Sequence, residues 1–414
     1  MTDEPFPGDG TPTAPTEHQD TRLEKALVVV GIVVLGFNLR PAAVSVGPVV
    51  DEITSGLRMS PVSAGLLTSL PVLAFALFGG LTPGIAARLG THRTTLLALV
   101  AVVIGLAGRS TVHNPQAFLA LSLLALAGMA TSNVLLPSLV KQHFPDRVGL
   151  MTSVYTTMLA VGTAASTLTT VPISEAAGSW RVGIGVWAAT ALVAVAPWLG
   201  LLRHDRTLRQ SARTVTFAQI ARTRLGWAMA VTFALQSTQA YAAFGWLAQI
   251  YRDAGFGAQQ AAVLLTVATA VGIPTSLLVP PLAARFTNQS AITLTLVACY
   301  LTAYLGLILA PVGGAYAWAI LLGLGMATFP LVLTQIPLRT KTFSGTAALS
   351  GFTQSVGYLL SAPGPFLVGW LGHTTGNWTA SLILLMGIAI ALGVSGLTVA
   401  RPRYLEDELT RPAR

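Results

Sequence analysis

The amino-acid sequence predicts an all-α polytopic membrane protein with twelve transmembrane helices in two pseudo-symmetric six-helix bundles. Three observations predict it. The 414-residue chain is 53% hydrophobic and 9% charged, whereas soluble domains carry about 25% charged residues. Twelve apolar runs, each near the ~20 residues that cross a bilayer, are separated by polar loops. Two short motifs recur at one constant offset.

Residues 1–24 hold Pro, Thr, Gly and acidic residues without an apolar core, which reads as a disordered tail and not a signal peptide. The runs follow at 26–50, 62–87, 94–111, 116–140, 149–172, 182–202, 225–250, 258–282, 290–310, 314–338, 346–371 and 378–400. The longest connection, "RHDRTLRQSARTVTFAQIARTR" at 203–224, divides the chain into halves 25–202 and 225–400, with a tail at 401–414. "AGMATSNVLLP" (127–137) and "LGMATFPLVLT" (324–334) share Gly-Met-Ala-Thr at an offset of 197, and "GIAARLGTHR" (84–93) and "PLAARFTNQS" (281–290) share Ala-Ala-Arg at the same offset. Runs 2–4 therefore correspond to runs 8–10. In transporters built from such parallel repeats, the substrate site lies near the bilayer midplane between the halves.

Charge orients the bundle. With both termini in the cytoplasm, the loops and tails on that side hold 19 of the 24 Lys and Arg; the opposite loops hold Arg58, Arg109, Arg181 and Arg252, and Arg40 is the remaining one. This asymmetry predicts a multi-pass protein of the inner or plasma membrane with cytoplasmic termini. The net charge of +9 is spread over six loops and tails, so it forms no nucleic-acid groove. The 203–224 loop reads either as a contact with anionic lipid heads or as a solvated linker.

The first run carries the sharpest signal. In "VVLGFNLRPAAVSVGPVV" (33–50), Arg40 sits midway along the apolar sequence, where a guanidinium costs a few kcal/mol or more and marks function by default. Pro41 cannot donate to the carbonyl of Phe37, so a kink is expected that leaves this carbonyl facing a cavity. Asn38 and Arg40 point to nearly opposite faces of a regular helix. Arg40 is assigned to the pathway, and Asn38 is read as an interhelical hydrogen-bonder. Pro71 and Pro83 in the second run, with Pro137, Pro274, Pro363 and Pro365 later, supply bends. Gly-rich stretches such as "GGLTPG" and "GLGMAT" read as close helix packing.

Further along, Asn133 in the fourth run is a gate or packing candidate, and the fifth offers Thr152, Tyr155 and Thr156. In the seventh, the 197 offset sets Ser237 opposite Arg40. Around it Gln236, Gln239, Ala243 and Trp246 share a face at spacings of three and four, which suits either a pocket or interhelical packing. The eleventh offers Gln354, Tyr358 and Ser361. No Asp or Glu lies inside a run; Asp51, Glu52, Glu175 and Asp253 sit at outer ends, and the six His fall in loops or tails. Cys299 is the single cysteine, so disulfides and thiolate metal sites are excluded. With no nucleophile, acid–base pair or metal cluster in place, the chain does not read as an enzyme, and no cofactor or metal is expected.

The twelve-run layout, the long central loop and the 2–3 loop resemble the major facilitator superfamily. That loop is read against the signature Gly-x-x-x-Asp-Arg-x-Gly-x-Arg-Arg, with Gly84, Arg88, Gly90 and Arg93 as its switch residues and Arg285 as the repeat partner of Arg88. Ala87 stands at the aspartate and His92 at a basic position, which puts the charge relay of the outward-facing state in doubt. "NLRPAAVSVGPV" (38–49) is similar to the start of the cyanate/nitroimidazole permease family. That resemblance implies small anions or small nitroheterocycles as cargo. The Gly-Pro-rich exchanger motif of many drug antiporters is not evident in "VGTAASTLTTVP".

The sequence therefore predicts a monomeric secondary transporter that moves a small anion by alternating access, with the cargo held by Arg40 as its missing counter-charge. Gln236, Gln239, Trp246, Tyr155, Gln354, Tyr358, Asn38 and Asn133 complete the expected site. One alternative is an Arg40 that hydrogen-bonds backbone carbonyls and Gln or Tyr side chains and holds helices together; another is an exporter of neutral or weakly basic nitroheterocycles or drugs.

Overall fold

The computed structural model describes residues 22–202 and 215–410; most of the predicted N-terminal tail and linker, and the last four residues, lie outside the described residues. The N-terminal bundle comprises α1 (Arg22–Asn38, resuming as Pro41–Val44), α2 (Pro61–Leu89), α3 (Thr91–Thr111), α4 (Pro115–His143), α5 (Val148–Ala176) and α6 (Trp180–Gly185 and Trp187–Leu201). The C-terminal bundle comprises α7 (Arg224–Asp253), α8 (Ala258–Ala270 and Gly272–Arg285), α9 (Ser290–Leu309), α10 (Ala315–Gly325 and Thr328–Leu338), α11 (Phe343–Ser361 and Pro363–Thr375) and α12 (Thr379–Ala400). Helix starts carry recognisable caps. Ser60 accepts from the Ser63 amide ahead of α2, with Pro61 in the first turn, and Asn114 caps α4 ahead of Pro115 in the same way. A single residue, Gly90, joins α2 to α3 at φ +95°, a conformation that L side chains rarely adopt.

Ten of these spans are long and apolar enough to cross a membrane by themselves. The other two, α7 and α11, are the ones carrying Gln236, Ser237, Thr238 and Gln239, and Thr353, Gln354, Ser355 and Tyr358, all of them buried. Their polar groups face protein and not lipid, so low hydropathy costs them little.

One end of the molecule carries Arg22, Leu202, Val215 and Thr410; we call it the terminal end and its opposite the distal end. At the terminal end the halves interlock. A Cβ on Gly149 of α5 would stand 2.6 Å from the Cβ of Ala284 in α8, and one on Gly351 of α11 would stand 2.9 Å from the Gly79 carbonyl of α2. The hydrophobic core of the N-terminal bundle runs on into Leu333, Ile336, Leu349, Phe352 and Tyr358, whereas a second core around Tyr251, Leu264, Tyr304 and Leu382 belongs to the C-terminal bundle alone. Toward the distal end Gly47, Gly245 and Gly272 have no atom within 4 Å of where a Cβ would stand. The bundles are closed at the terminal end and part toward the distal end.

Candidate substrate site

Helix α1 breaks where the sequence requires it. Arg40 has φ −122° and precedes Pro41, which opens the short helix Pro41–Val44. The carbonyl of Phe37, however, does not face a cavity. Gly162 of α5 lies so close that a Cβ there would stand 2.0 Å from that oxygen, so bare glycine backbone covers it, a contact of the weak Cα–H···O kind. Gly36 abuts the Tyr155 backbone in the same way. The α1–α5 seam is therefore tight, and the break turns Arg40 toward the other bundle.

There the guanidinium lies 5.7 Å from the centre of the Phe329 ring on α10, and its electrostatic neighbours are the phenols of Tyr358 on α11 and Tyr241 on α7. Tyr358 stacks against Phe75 at 4.4 Å and Phe233 at 5.0 Å and lies 6.3 Å from Tyr241. Its buried hydroxyl lies beside the Arg40 guanidinium and the Tyr241 phenol. The ion pair of Lys341 with Asp407 is on the exposed terminal face, and no carboxylate stands among the electrostatic neighbours of Arg40. The result is one part-exposed cation facing three aromatic rings of the C-terminal bundle, with Phe75 of α2 packed on the far one of them, Tyr358.

The floor is an amide pair. Asn133 Nδ2 of α4 donates to Gln354 Oε1 of α11 at 2.7 Å, and Gln354 Nε2 donates to Ser350 Oγ at 2.8 Å. Ser355 Oγ donates to the Phe75 carbonyl, and Ser138 Oγ to the Phe343 carbonyl. These bonds join the halves on the terminal side of Arg40.

Other expected site residues are engaged elsewhere. Asn38 bonds the Val34 and Thr190 carbonyls and accepts from the Thr190 hydroxyl, tying α1 to α6. Gln239 is a correction: its amide donates to the Leu385 carbonyl and accepts from the Tyr304 hydroxyl, so both polar ends point into the C-terminal bundle. Trp246 is another, with its indole N–H on the Pro365 carbonyl and its ring against Trp378. Gln236 donates to its neighbour Ser237 at 2.7 Å. Tyr155 is buried against Gly36, with its hydroxyl unpartnered. The residues at this site that were not anticipated are Phe329 and Tyr241 beside Arg40, and Phe75 and Phe233, which pack on Tyr358. One signal pointed to α7, because Phe233, Ser237 and Tyr241 lie four apart and Ser237 is the repeat position of Arg40.

At the 2–3 turn, Arg88 and Arg285 end α2 and α8 at matching places, where a cation complements the helix dipole. Counting back from Arg88, the signature's first glycine falls on Pro83, so Gly84 stands one position late. His92 and His143 are not loop residues. Both are buried, in the first turn of α3 and the last turn of α4, and their Nε2 atoms are 2.9 Å apart.

Arg109, which was counted among loop residues, is fully buried near the end of α3. It donates to the Ala42 carbonyl at 2.9 Å and the Ser45 hydroxyl at 3.1 Å. Those acceptors lie on the resumed turn of α1, so Arg109 caps its carbonyl end.

A pair of helical bundles that meet at a shared polar site is the construction of a membrane transporter. Residues 27–365 match the Major Facilitator Superfamily, and the chain belongs to that family. It is 36% identical over 390 residues to the Bacillus subtilis (strain 168) "uncharacterized transporter YycB", covering 93% of this chain and 96% of that protein. With the Escherichia coli (strain K12) 2-nitroimidazole transporter it shares 31% identity, covering 92% of this chain and 97% of the relative. The cyanate transport protein CynX of the same organism is 25% identical, covering 87% and 94%. The xylose:proton symporter XylE, bound to 6-bromo-6-deoxy-D-glucose, superposes with a TM-score of 0.74 over 94% of this chain and 98% of that one at 10% identity. That likeness shows the fold alone. The chain is a multi-pass membrane transporter, not an enzyme.

Proposed function

We propose that this transporter carries a small, flat anion, bound by the Arg40 guanidinium between the two bundles. The observation that carries the reading is a part-exposed cation without a described carboxylate partner, set among Phe329, Tyr358 and Tyr241. A guanidinium offers a planar fork of donors to an anion, and the aromatic faces accept a flat π system. The positive-inside bias puts the terminal end in the cytoplasm of the inner or plasma membrane, so the site faces outward here. Rocking that breaks the Asn133–Gln354 contact opens the inner side, with the 2–3 turn at Gly90, Arg88 and Arg93 and its counterpart at Arg285 as the hinge-side loops. The protein works as a monomer.

The aromatic walls support a second reading, a neutral nitroheterocycle whose nitro oxygens meet Arg40; the 31% identical relative is named for 2-nitroimidazole transport. Uptake into proteoliposomes by cyanate and by 2-nitroimidazole, each competed with the other, separates the two. Cyanate flux lost in Arg40→Ala supports the anion reading. Flux of 2-nitroimidazole alone, preserved in Arg40→Ala, overturns it.

A further inference from the structure

Arg109 poses a problem that the transport site does not solve. Its side chain is 0% exposed, its two hydrogen bonds go to the uncharged acceptors Ala42 O and Ser45 Oγ, and its Nε has no partner. A buried cation facing neutral groups alone is uncompensated, which costs several kcal/mol. Beside it lies a cavity of about 230 Å³ lined by Ala42, Ala43, Val46, Gly47, Val50, Leu67, Pro71, Ser122 and Leu126 as well as Arg109 itself. The second polar side chain on that wall, Ser122 of α4, is 1% exposed, and its hydroxyl is also unpartnered. Two residues that line one half-open cavity thus each carry a buried polar atom without a partner, one of them charged, which is an unusual arrangement.

We propose that this chamber, within the N-terminal bundle, is a second site that holds a small monovalent anion of halide size between Arg109 Nε–H and Ser122 O–H. The volume has room for such an ion with several waters, since each occupies ~30 Å³ in the liquid. The remaining walls are apolar, so they exclude a larger polar ligand and strengthen the attraction to the guanidinium. The ion supplies the charge that Arg109 lacks while its other two donors hold the resumed turn of α1. The inference stands on Arg109 and the chamber, and does not depend on what Arg40 carries.

The test uses the full chain in detergent, with bromide as the probe, titrated as its sodium salt against gluconate at constant ionic strength while thermal unfolding is followed. The expected result is a saturable rise in Tm for the unaltered protein and for Arg40→Gln, with half-saturation raised at least tenfold or lost in Arg109→Gln. Ser122→Ala removes one hydroxyl and no charge, so it keeps the test decisive if Arg109→Gln does not fold; it is expected to raise half-saturation several-fold. Bromide anomalous scattering in crystals should then peak within hydrogen-bond reach of Arg109 Nε and Ser122 Oγ. The proposal is overturned by no saturable rise, by an equal rise in Arg109→Gln or Ser122→Ala, or by a chamber that holds water only. A response lost in Arg40→Gln but kept in Arg109→Gln also overturns it, and places the ion at the transport site.

Discussion

Arg40 belongs to the break in α1 and Arg109 donates to the turn that follows it, and the two do different work. Arg109 is closed off within the N-terminal bundle and turns two of its donors to the backbone and hydroxyl of α1. Arg40 looks out of that bundle, part exposed, toward three aromatic rings of the other one. The difference teaches that burial alone does not put an arginine on the transport path. What distinguishes the two is whether the charge faces the surface where two moving halves meet.

The largest effects separate the two arginines. Arg40→Ala should lower cargo uptake by two orders of magnitude or more while leaving Tm within a few degrees, because a part-exposed group with no protein counter-charge contributes little to stability. Arg40→Lys should retain a fraction of the flux, since an ammonium keeps the charge but loses the fork. Arg109→Gln should do the reverse at first order. It uncaps the α1 turn and lowers stability by about 1–3 kcal/mol, readable as a drop in Tm. If uptake per folded molecule then fell as far as in Arg40→Ala, the assignment of separate roles would fail.

Much of this contrast was legible in the sequence. Arg40 stands out because it is charged, central and followed by proline, and the repeat offset set Ser237 opposite to it; the Phe233–Tyr241 face on either side of Ser237 was not singled out. Asn133 and Gln354 stood out as isolated amides in apolar runs. The destinations of Gln239 and Trp246 were not legible, because helical spacing groups residues on a face without saying which neighbour that face meets. Phe329 and Phe75 resemble any lipid-facing aromatic until α10 and α2 are placed. Arg109 lies two residues from the end of its helix, where sequence alone makes an arginine a snorkelling loop residue; its burial depends on α1 turning over it.

Smaller effects sharpen the same picture. Gln354→Ala removes the Asn133 contact, worth about 1 kcal/mol net, so the ratio of outward- to inward-open states should fall about fivefold. Labelling of a cysteine placed near the terminal end would read that shift; unchanged labelling would remove the amide pair from the gate. Glu406 accepts from the Thr342 amide and hydroxyl and from the Lys341 amide at the start of α11, so Glu406→Ala should cost about 1 kcal/mol of stability without changing cargo affinity. Transport should also show no titration near the carboxylate value of about 4, since no described carboxylate faces the Arg40 site.

The most direct measurement is cyanate uptake into proteoliposomes by the unaltered protein beside Arg40→Ala, with folding of both verified by thermal unfolding. The account predicts robust flux in the first and near-background flux in the second at equal folded protein. Equal flux in the two would contradict it, because the passage of cargo would then owe nothing to the one charge that faces both halves.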